Sequence, residues 1–113
     1  MDHSLPVLSR DEALGRLEGD TELWGEIRDI WVEDADAMMD GVAKALEAKA
    51  ADALRRAAHA LKGSSANVGA TRVAMLAKSI ELSALESNWT LLTDHVVKLR
   101  AEVEEAKRQL ELA

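Results

Sequence analysis

One of the three histidines in the chain lies in the middle of a short run of basic and small residues. His59 is preceded by Arg55 and Arg56 and followed by Lys62 and Gly63. If the run is helical, side chains three and four positions apart lie next to one another, so Arg55 and Lys62 are neighbours of the imidazole. Cationic neighbours favour the neutral imidazole, which has an unprotonated nitrogen, and they stabilise an anionic group placed on it. The spacing therefore indicates a nucleophilic histidine that can carry an anionic group.

The helical pattern around His59 predicts that its side chain points away from the core. At about 100° per residue, His59 lies roughly 150° from the centre of the apolar stripe formed by Leu54, Leu61 and Val68. Gly63, one turn later, costs a helix interior about 1 kcal/mol relative to alanine and leaves room for another protein to approach. The residues alone also allow a plainer interpretation, in which His59 is an ordinary surface residue and Gly63 serves close helix packing.

The rest of the chain has the composition of a helical protein. It contains one proline, is rich in Ala, Leu, Glu, Lys and Arg, and has no stretch that alternates apolar and polar residues as a strand would. After an N-terminal segment, residues 1–8, a capping box at Ser9 to Glu12 predicts a short first helix over residues 9–17. Asp20 is the expected N-cap of a second helix.

Four longer apolar stripes repeat at spacings of three and four, the pattern of amphipathic helices. The third helix ends at Gly69, and a turn near Lys49 to Asp52 divides it from the second, since one helix across both would be unusually long. The sequence therefore predicts an all-α fold, an antiparallel four-helix bundle with a short additional N-terminal helix, as a single domain over residues 9–112. The predicted core positions are Leu23, Ile27, Ile30, Trp31, Met38, Val42, Ala45, Leu46, Leu54, Ala57, Ala58, Leu61, Ser65, Val68, Val73, Leu76, Ala77, Ile80, Ala84, Leu92, Val96, Leu99, Val103, Ala106 and Leu110.

Charge and composition exclude several classes of function. The 113 residues include 21 acidic and 14 basic side chains, a net charge of −7, which argues against a nucleic-acid partner. The absence of cysteine excludes disulfides, thiolate nucleophiles and cysteine-ligated zinc. No apolar run approaches the roughly 20 residues that cross a bilayer, so we expect a cytoplasmic protein without membrane insertion.

The run from His59 to Ala70 resembles the signature of histidine-containing phosphotransfer (HPt) domains, His-x-Leu-Lys-Gly-Ser-(Ser/Ala)-x-x-(Leu/Val)-Gly-Ala. Three further segments resemble the same family, namely Gly19–Leu23, Trp31–Ala35, where Trp stands for the usual Phe, and Ile80–Glu81. The resemblance covers nearly the whole chain. Its main departure is Lys49–Asp52, which replaces the usual Gly-Asp turn.

The resemblance implies a role for each matching residue. His59 would be the phosphoacceptor, Lys62 would lie beside the phosphoryl group and offset its charge, and Gly63 would leave clearance for a receiver domain. Ser64 or Ser65 would orient the imidazole or pack the helix, and the resemblance does not choose between these roles. The residues expected to dock the partner are Arg55, Arg56, Ser64, Ala66 and Asn67, with apolar neighbours from the second helix.

The function implied is that of a phosphorelay intermediate, which accepts a phosphoryl group from a receiver-domain aspartyl phosphate and passes it to another receiver. The expected partners are receiver domains, a hybrid histidine kinase, or both, and a monomer is expected because the four stripes face one another. No cofactor is expected on this chain, since the Mg²⁺ and the acceptor aspartate belong to the receiver. The chain has no Gly-rich phosphate loop of the Walker type, so we expect a carrier without kinase activity of its own.

Three other functions are conceivable for a helical bundle with an exposed histidine. A di-iron bundle needs Glu-x-x-His, whereas Arg56 and Leu92 stand three residues before His59 and His95. The phosphoacceptor domain of a histidine kinase has an acidic residue directly after its histidine, where this chain has Ala60. A helical interaction module that is never phosphorylated stays open as the main alternative.

Overall fold

A computed structural model of the chain describes residues 5–113, and it is helical throughout apart from short connections. The four long helices form a closed ring, in which α2 packs on α3, α3 on α4, α4 on α5, and α5 on α2. Because the connections are short, neighbouring helices run antiparallel, and the short helix α1 packs against α2 and α3 at one end. The predicted fold class is confirmed. The helices are α1 (Arg10–Arg16), α2 (Thr21–Glu47), α3 (Ala51–Val68), α4 (Thr71–Ser83) and α5 (Trp89–Leu112), with a 3₁₀ turn at Ala84–Glu86.

Most of the predicted core positions on α3, α4 and α5 are buried, but the stripe predicted for α2 is partly wrong. Leu23 and Ile30 are 39% and 60% exposed, while Ile27 and Met38 are half-buried. The helix carries apolar residues on two adjacent faces, and the face with the two large tryptophans packs inward. The buried residues of α2 are Trp24, Trp31, Ala35, Met39, Val42 and Ala45.

The two predicted N-caps have different outcomes. Asp20 caps α2, since its side chain accepts a hydrogen bond of 3.0 Å from the backbone N–H of Leu23. The capping box at Ser9 does not form, because the Ser9 side chain makes no cap hydrogen bond. The backbone N–H of Ser9 donates instead to the carbonyl oxygen of Gly69 at 2.8 Å. This donor is therefore not available to the Glu12 side chain.

The connections around α3 are tight turns with left-handed residues. Between α2 and α3 the chain turns at Lys49, which has a φ of +52°. The first residue of the predicted turn is therefore confirmed, but its last residue, Asp52, already belongs to the first turn of α3. Gly69 ends α3 with φ +88°, as a C-cap glycine does. No helix within the described part of the chain is long and apolar enough to cross a membrane.

The N-terminal segment is tied to the bundle. Val7 is buried, and the carbonyl oxygen of Leu5 accepts a hydrogen bond of 2.7 Å from Nε of Arg72 on α4. Residues 1–4 of the predicted 1–8 segment lie outside the described residues.

Candidate functional site

His59 lies on the outward face of α3, where its side chain is 64% exposed, so the orientation predicted from the helix geometry is confirmed. Its Nδ1 is hydrogen-bonded to Oε2 of Glu81, which lies on the neighbouring helix α4. Because a carboxylate can only accept, Nδ1 carries the proton in this pair, and Nε2 is the unprotonated nitrogen of the neutral ring. The arrangement fixes both the tautomer and the orientation of the imidazole.

Glu81 connects the two residues that the sequence motif supplies. Its side chain is only 15% exposed, and its Oε1 accepts a hydrogen bond of 2.6 Å from Nζ of Lys62. The hydrogen bond from Lys62, and after it that from His59, hold the pKa of the Glu81 carboxyl below its ordinary value. Glu81 is therefore ionised at neutral pH, and one carboxylate binds both the imidazole and the ammonium group.

Sequence reasoning did not name Glu81 as a site residue. The available signal was the resemblance of Ile80–Glu81 to the family's Leu-Glu pair, but the role depends on how α3 and α4 pack. The resemblance implies that Lys62 lies beside a phosphoryl group. In the structure its side chain is 31% exposed, and its ammonium group is bound to Glu81.

The two basic residues before His59 are bound to an acidic residue other than Glu81. Arg55 and Arg56 form ion pairs with Asp52, at 2.9 and 3.2 Å. The hydrogen bond from Arg55 also lowers the pKa of the Asp52 carboxyl. The guanidinium of Arg55 is thus bonded to Asp52, in the direction along α3 opposite to His59, and the basic patch is partly neutralised.

Gly63 leaves open space beside His59. A Cβ atom built at this position would meet no atom within 4 Å, so the glycine is not required for close helix packing. That finding removes the plainer interpretation of Gly63. The exposed backbone at this position leaves the approach to the imidazole unobstructed.

The two serines of the motif have different surroundings. Ser65 is fully buried, and its Oγ accepts a hydrogen bond of 3.1 Å from the indole Nε1 of Trp31. Ser64 is half-buried, with its Oγ 3.2 Å from the carbonyl oxygen of Leu61. His59 is oriented by the hydrogen bond that it donates to Glu81, whereas Ser65 contributes to the packing of α3 on α2.

A groove of about 180 Å³ lies between α2 and α3, next to the site. Ser64 and Asn67 line it from α3, and they follow His59 by five and eight residues, about 7 and 12 Å along the helix axis. Ala66 lines a different groove, together with Met75 and Lys78. The residues lining the α2/α3 groove are Ile27, Ile30, Trp31, Asp34, Met38, Ser64 and Asn67.

The described part of the bundle contains no cluster of metal-binding side chains, either on its surface or in its interior. Within residues 5–113, no group of three or more His, Cys, Asp or Glu is placed to hold a metal ion. Among the described residues, Ser65 is the one buried residue with a polar side chain, so the core of the bundle contains no carboxylate.

Comparisons with known proteins show the family of the chain. The family model described as the Hpt domain matches residues 26–109, a range that includes His59, Lys62 and Glu81. The structure is similar to the crystal structure of histidine-containing phosphotransfer protein B (HptB) from Pseudomonas aeruginosa PAO1. The TM-score is 0.85 and the sequence identity 25%, over 95% of this chain and 93% of that one. A search of the curated proteins found no match. Because the family model spans most of the sequence, the chain belongs to the Hpt domain family and acts in histidine phosphotransfer within a phosphorelay.

Proposed function

We propose that His59 is the phosphoacceptor and that its Nε2 takes the phosphoryl group from an aspartyl phosphate of a receiver domain. The lone pair of Nε2 attacks phosphorus, the bond between phosphorus and the aspartate oxygen breaks, and the aspartate leaves as a carboxylate. The Nδ1 proton stays on the ring, donated to Glu81. Transfer to a second receiver aspartate reverses these steps. The observation that carries the proposal is the bond between Nδ1 and Glu81, which leaves Nε2 as the nucleophile on an exposed face.

Glu81 and Lys62 support this chemistry by their charges. When Nε2 bonds to phosphorus while Nδ1 keeps its proton, the ring becomes positively charged, and the Glu81 carboxylate lies against that charge. The Lys62 ammonium keeps Glu81 ionised and is three residues from His59 on the same helix, where it can also face the phosphoryl oxygens. The chain thereby presents and stabilises the reacting ring, which is a task of positioning.

The partner side of the proposal follows from the same surface. The partners are receiver domains, a hybrid histidine kinase, or both, and the receiver brings the Mg²⁺ and the aspartate. The docking face centres on His59 and Gly63 and extends to Ser64 and Asn67 at the α2/α3 groove, while Arg55, Arg56 and Ala66 form its outer parts. The bundle acts as one domain and as a monomer, in the cytoplasm.

The test compares wild type with two histidine variants. Each protein is incubated with a phosphorylated receiver domain, and its intact mass is measured before and after mild acid. Wild type and His95→Gln should gain one acid-labile, base-stable phosphoryl group, because His95 lies on α5 away from α3. His59→Gln should gain none while its circular dichroism stays helical. A phosphorylated His59→Gln protein, or an unmodified wild type, would overturn the proposal and favour a module that only binds partners.

A further inference from the structure

The α2/α3 groove is largely apolar, and its lining also includes Ser64, Asn67 and one carboxylate, Asp34. Ile30 is 60% exposed on its rim, and Ile27 and Met38 are half-buried along its wall. A cavity of about 150 Å³ holds a benzene ring, so a volume of about 180 Å³ has room for one large apolar side chain. Exposed apolar surface beside a functional histidine is expected to be covered when a partner docks.

Asp34 is the acidic residue in this groove, and no ion pair neutralises it. Among the acids of α2, Asp29 forms an ion pair with Arg28 and Asp36 forms one with Lys107, each at 3.0 Å, whereas Glu33 has no ion pair within the described residues and lies outside this groove. Within residues 5–113, Asp34 has no such cation, although it is exposed and lines the groove. A partner that covers the groove therefore removes water from an unpaired carboxylate, which is unfavourable unless the partner supplies a cation.

The groove is within reach of the same partner that reacts with His59. It begins about 7 Å along α3 from His59, and Gly63, which has no side chain, lies between them. Gly63 and Asn67 lie about 40° and 80° around α3 from His59, on the side that faces the groove, so a receiver domain that places its aspartate at Nε2 and packs along this side of α3 would extend over the groove. Charge at such a position acts mainly by rejecting partners that carry the wrong sign.

We infer that Asp34 is a specificity-determining residue, which selects receiver domains whose docking surface carries a lysine or arginine beside the apolar side chain that fills the groove. The inference rests on the proposed function, because it names the partner of that site. A receiver with an acidic residue at the same place is rejected by repulsion from Asp34.

Glu33 provides a matched control for this inference. It adjoins Asp34 in sequence, has the same charge and is exposed on the same helix, but it lines a separate groove between α2 and α5. Asp34→Lys and Glu33→Lys therefore change the net charge of the chain equally and differ only in the groove that receives the cation. Because both positions are exposed, both variants should keep the helical content of wild type.

The experiment measures kcat/KM for phosphoryl transfer from a receiver domain that phosphorylates the wild-type chain. Asp34→Lys should reduce kcat/KM about tenfold or more, whereas Glu33→Lys should reduce it by no more than about twofold. A receiver whose groove-facing cation is changed to glutamate should recover transfer with the Asp34→Lys variant. Equal rates for the two variants, or a loss that the receiver substitution does not recover, would overturn the inference while wild-type transfer still supports the proposed function. If wild type takes up no phosphoryl group, the proposed function fails, and the inference fails with it.

Discussion

At the scale of single residues, the geometry of His59 depends on a side chain from another helix. The motif places His59 and Lys62 on one face of α3, but a single helix provides no acceptor for the Nδ1 proton. Glu81 reaches both residues from α4, with its carboxylate largely shielded from solvent. The hydrogen bond from Nδ1 to Glu81 gives the exposed imidazole a preferred orientation before a partner arrives.

Gly63 gives the residue-scale prediction. Gly63→Leu should fold with at least wild-type stability, because the new side chain enters open space and a helix-interior glycine is unfavourable by roughly 0.5–1 kcal/mol. The leucine would nevertheless stand between His59 and the docking receiver, so we expect the rate of phosphoryl transfer to fall about a hundredfold. Rapid-quench assays measure this rate, and urea unfolding measures the stability.

Gly15→Leu is the control for this prediction. Gly15 is also an exposed helical glycine with open space around it, but it lies on α1 at the end of the bundle. This variant should transfer at the wild-type rate. Wild-type transfer by Gly63→Leu would show that the clearance at Gly63 is not needed.

At the scale of helices, two indole groups set the register of α3 on α2. Trp31 donates its Nε1–H to Oγ of Ser65, and Trp24 donates to the carbonyl oxygen of Val68, both at 3.1 Å. Both bonds are buried, so neither can be exchanged for water when the helices slide. The shape of the α2/α3 groove and the direction of His59 follow from this register.

Gly69 gives the prediction at this scale. Its φ of +88° is unfavourable for any L side chain, and a Cβ there would clash with the carbonyl oxygen of Ser9 and approach Cβ of Ala13 to 3.3 Å. We expect Gly69→Ala to lower the free energy of unfolding by about 2 kcal/mol, through backbone strain and displacement of α1. Urea titration followed by circular dichroism gives this value. Gly41→Ala, in the exposed middle of α2 with open space around it, should be neutral or slightly stabilising.

The helices that could be predicted from sequence are those with one apolar face. The stripe of α5, from Leu92 to Leu110, is buried as predicted because its opposite face is charged. On α2 the periodicity could not separate the core from the groove, since Ile30 continues the apolar surface beside Trp31. The Ser9 capping box failed because a residue distant in sequence, Gly69, takes its donor. The role of Glu81 likewise arises only when α4 packs on α3.

At the scale of the whole molecule, the chain carries an excess of negative charge that ion pairs offset locally. Its net charge is −7, and several carboxylates are bound to a cation nearby in the fold. The guanidinium of Arg108, followed by Gln109, lowers the pKa of Glu105 to about 2. The pKa of Asp52 and that of Glu81 are lowered by Arg55 and Lys62 in the same way. Protonation of these carboxylates removes the ion pairs, so the bundle should lose stability in acid.

The acid dependence attributable to Glu81 can be isolated by substitution. A carboxyl with a lowered pKa in the folded state stabilises the protein fully above the pKa of an unfolded glutamate, about 4.3, and this stabilisation disappears as the pH falls through the lowered value. The glutamine of Glu81→Gln cannot take up a proton. The urea midpoint of this variant should therefore decline less than that of wild type as the pH falls from about 5 through the lowered pKa of Glu81. Lys62→Met should reduce the decline in the same direction, because the Lys62 hydrogen bond is the largest cause of the shift. If all three proteins lose stability in parallel over this range, Glu81 is not held by its partners in the way the structure describes.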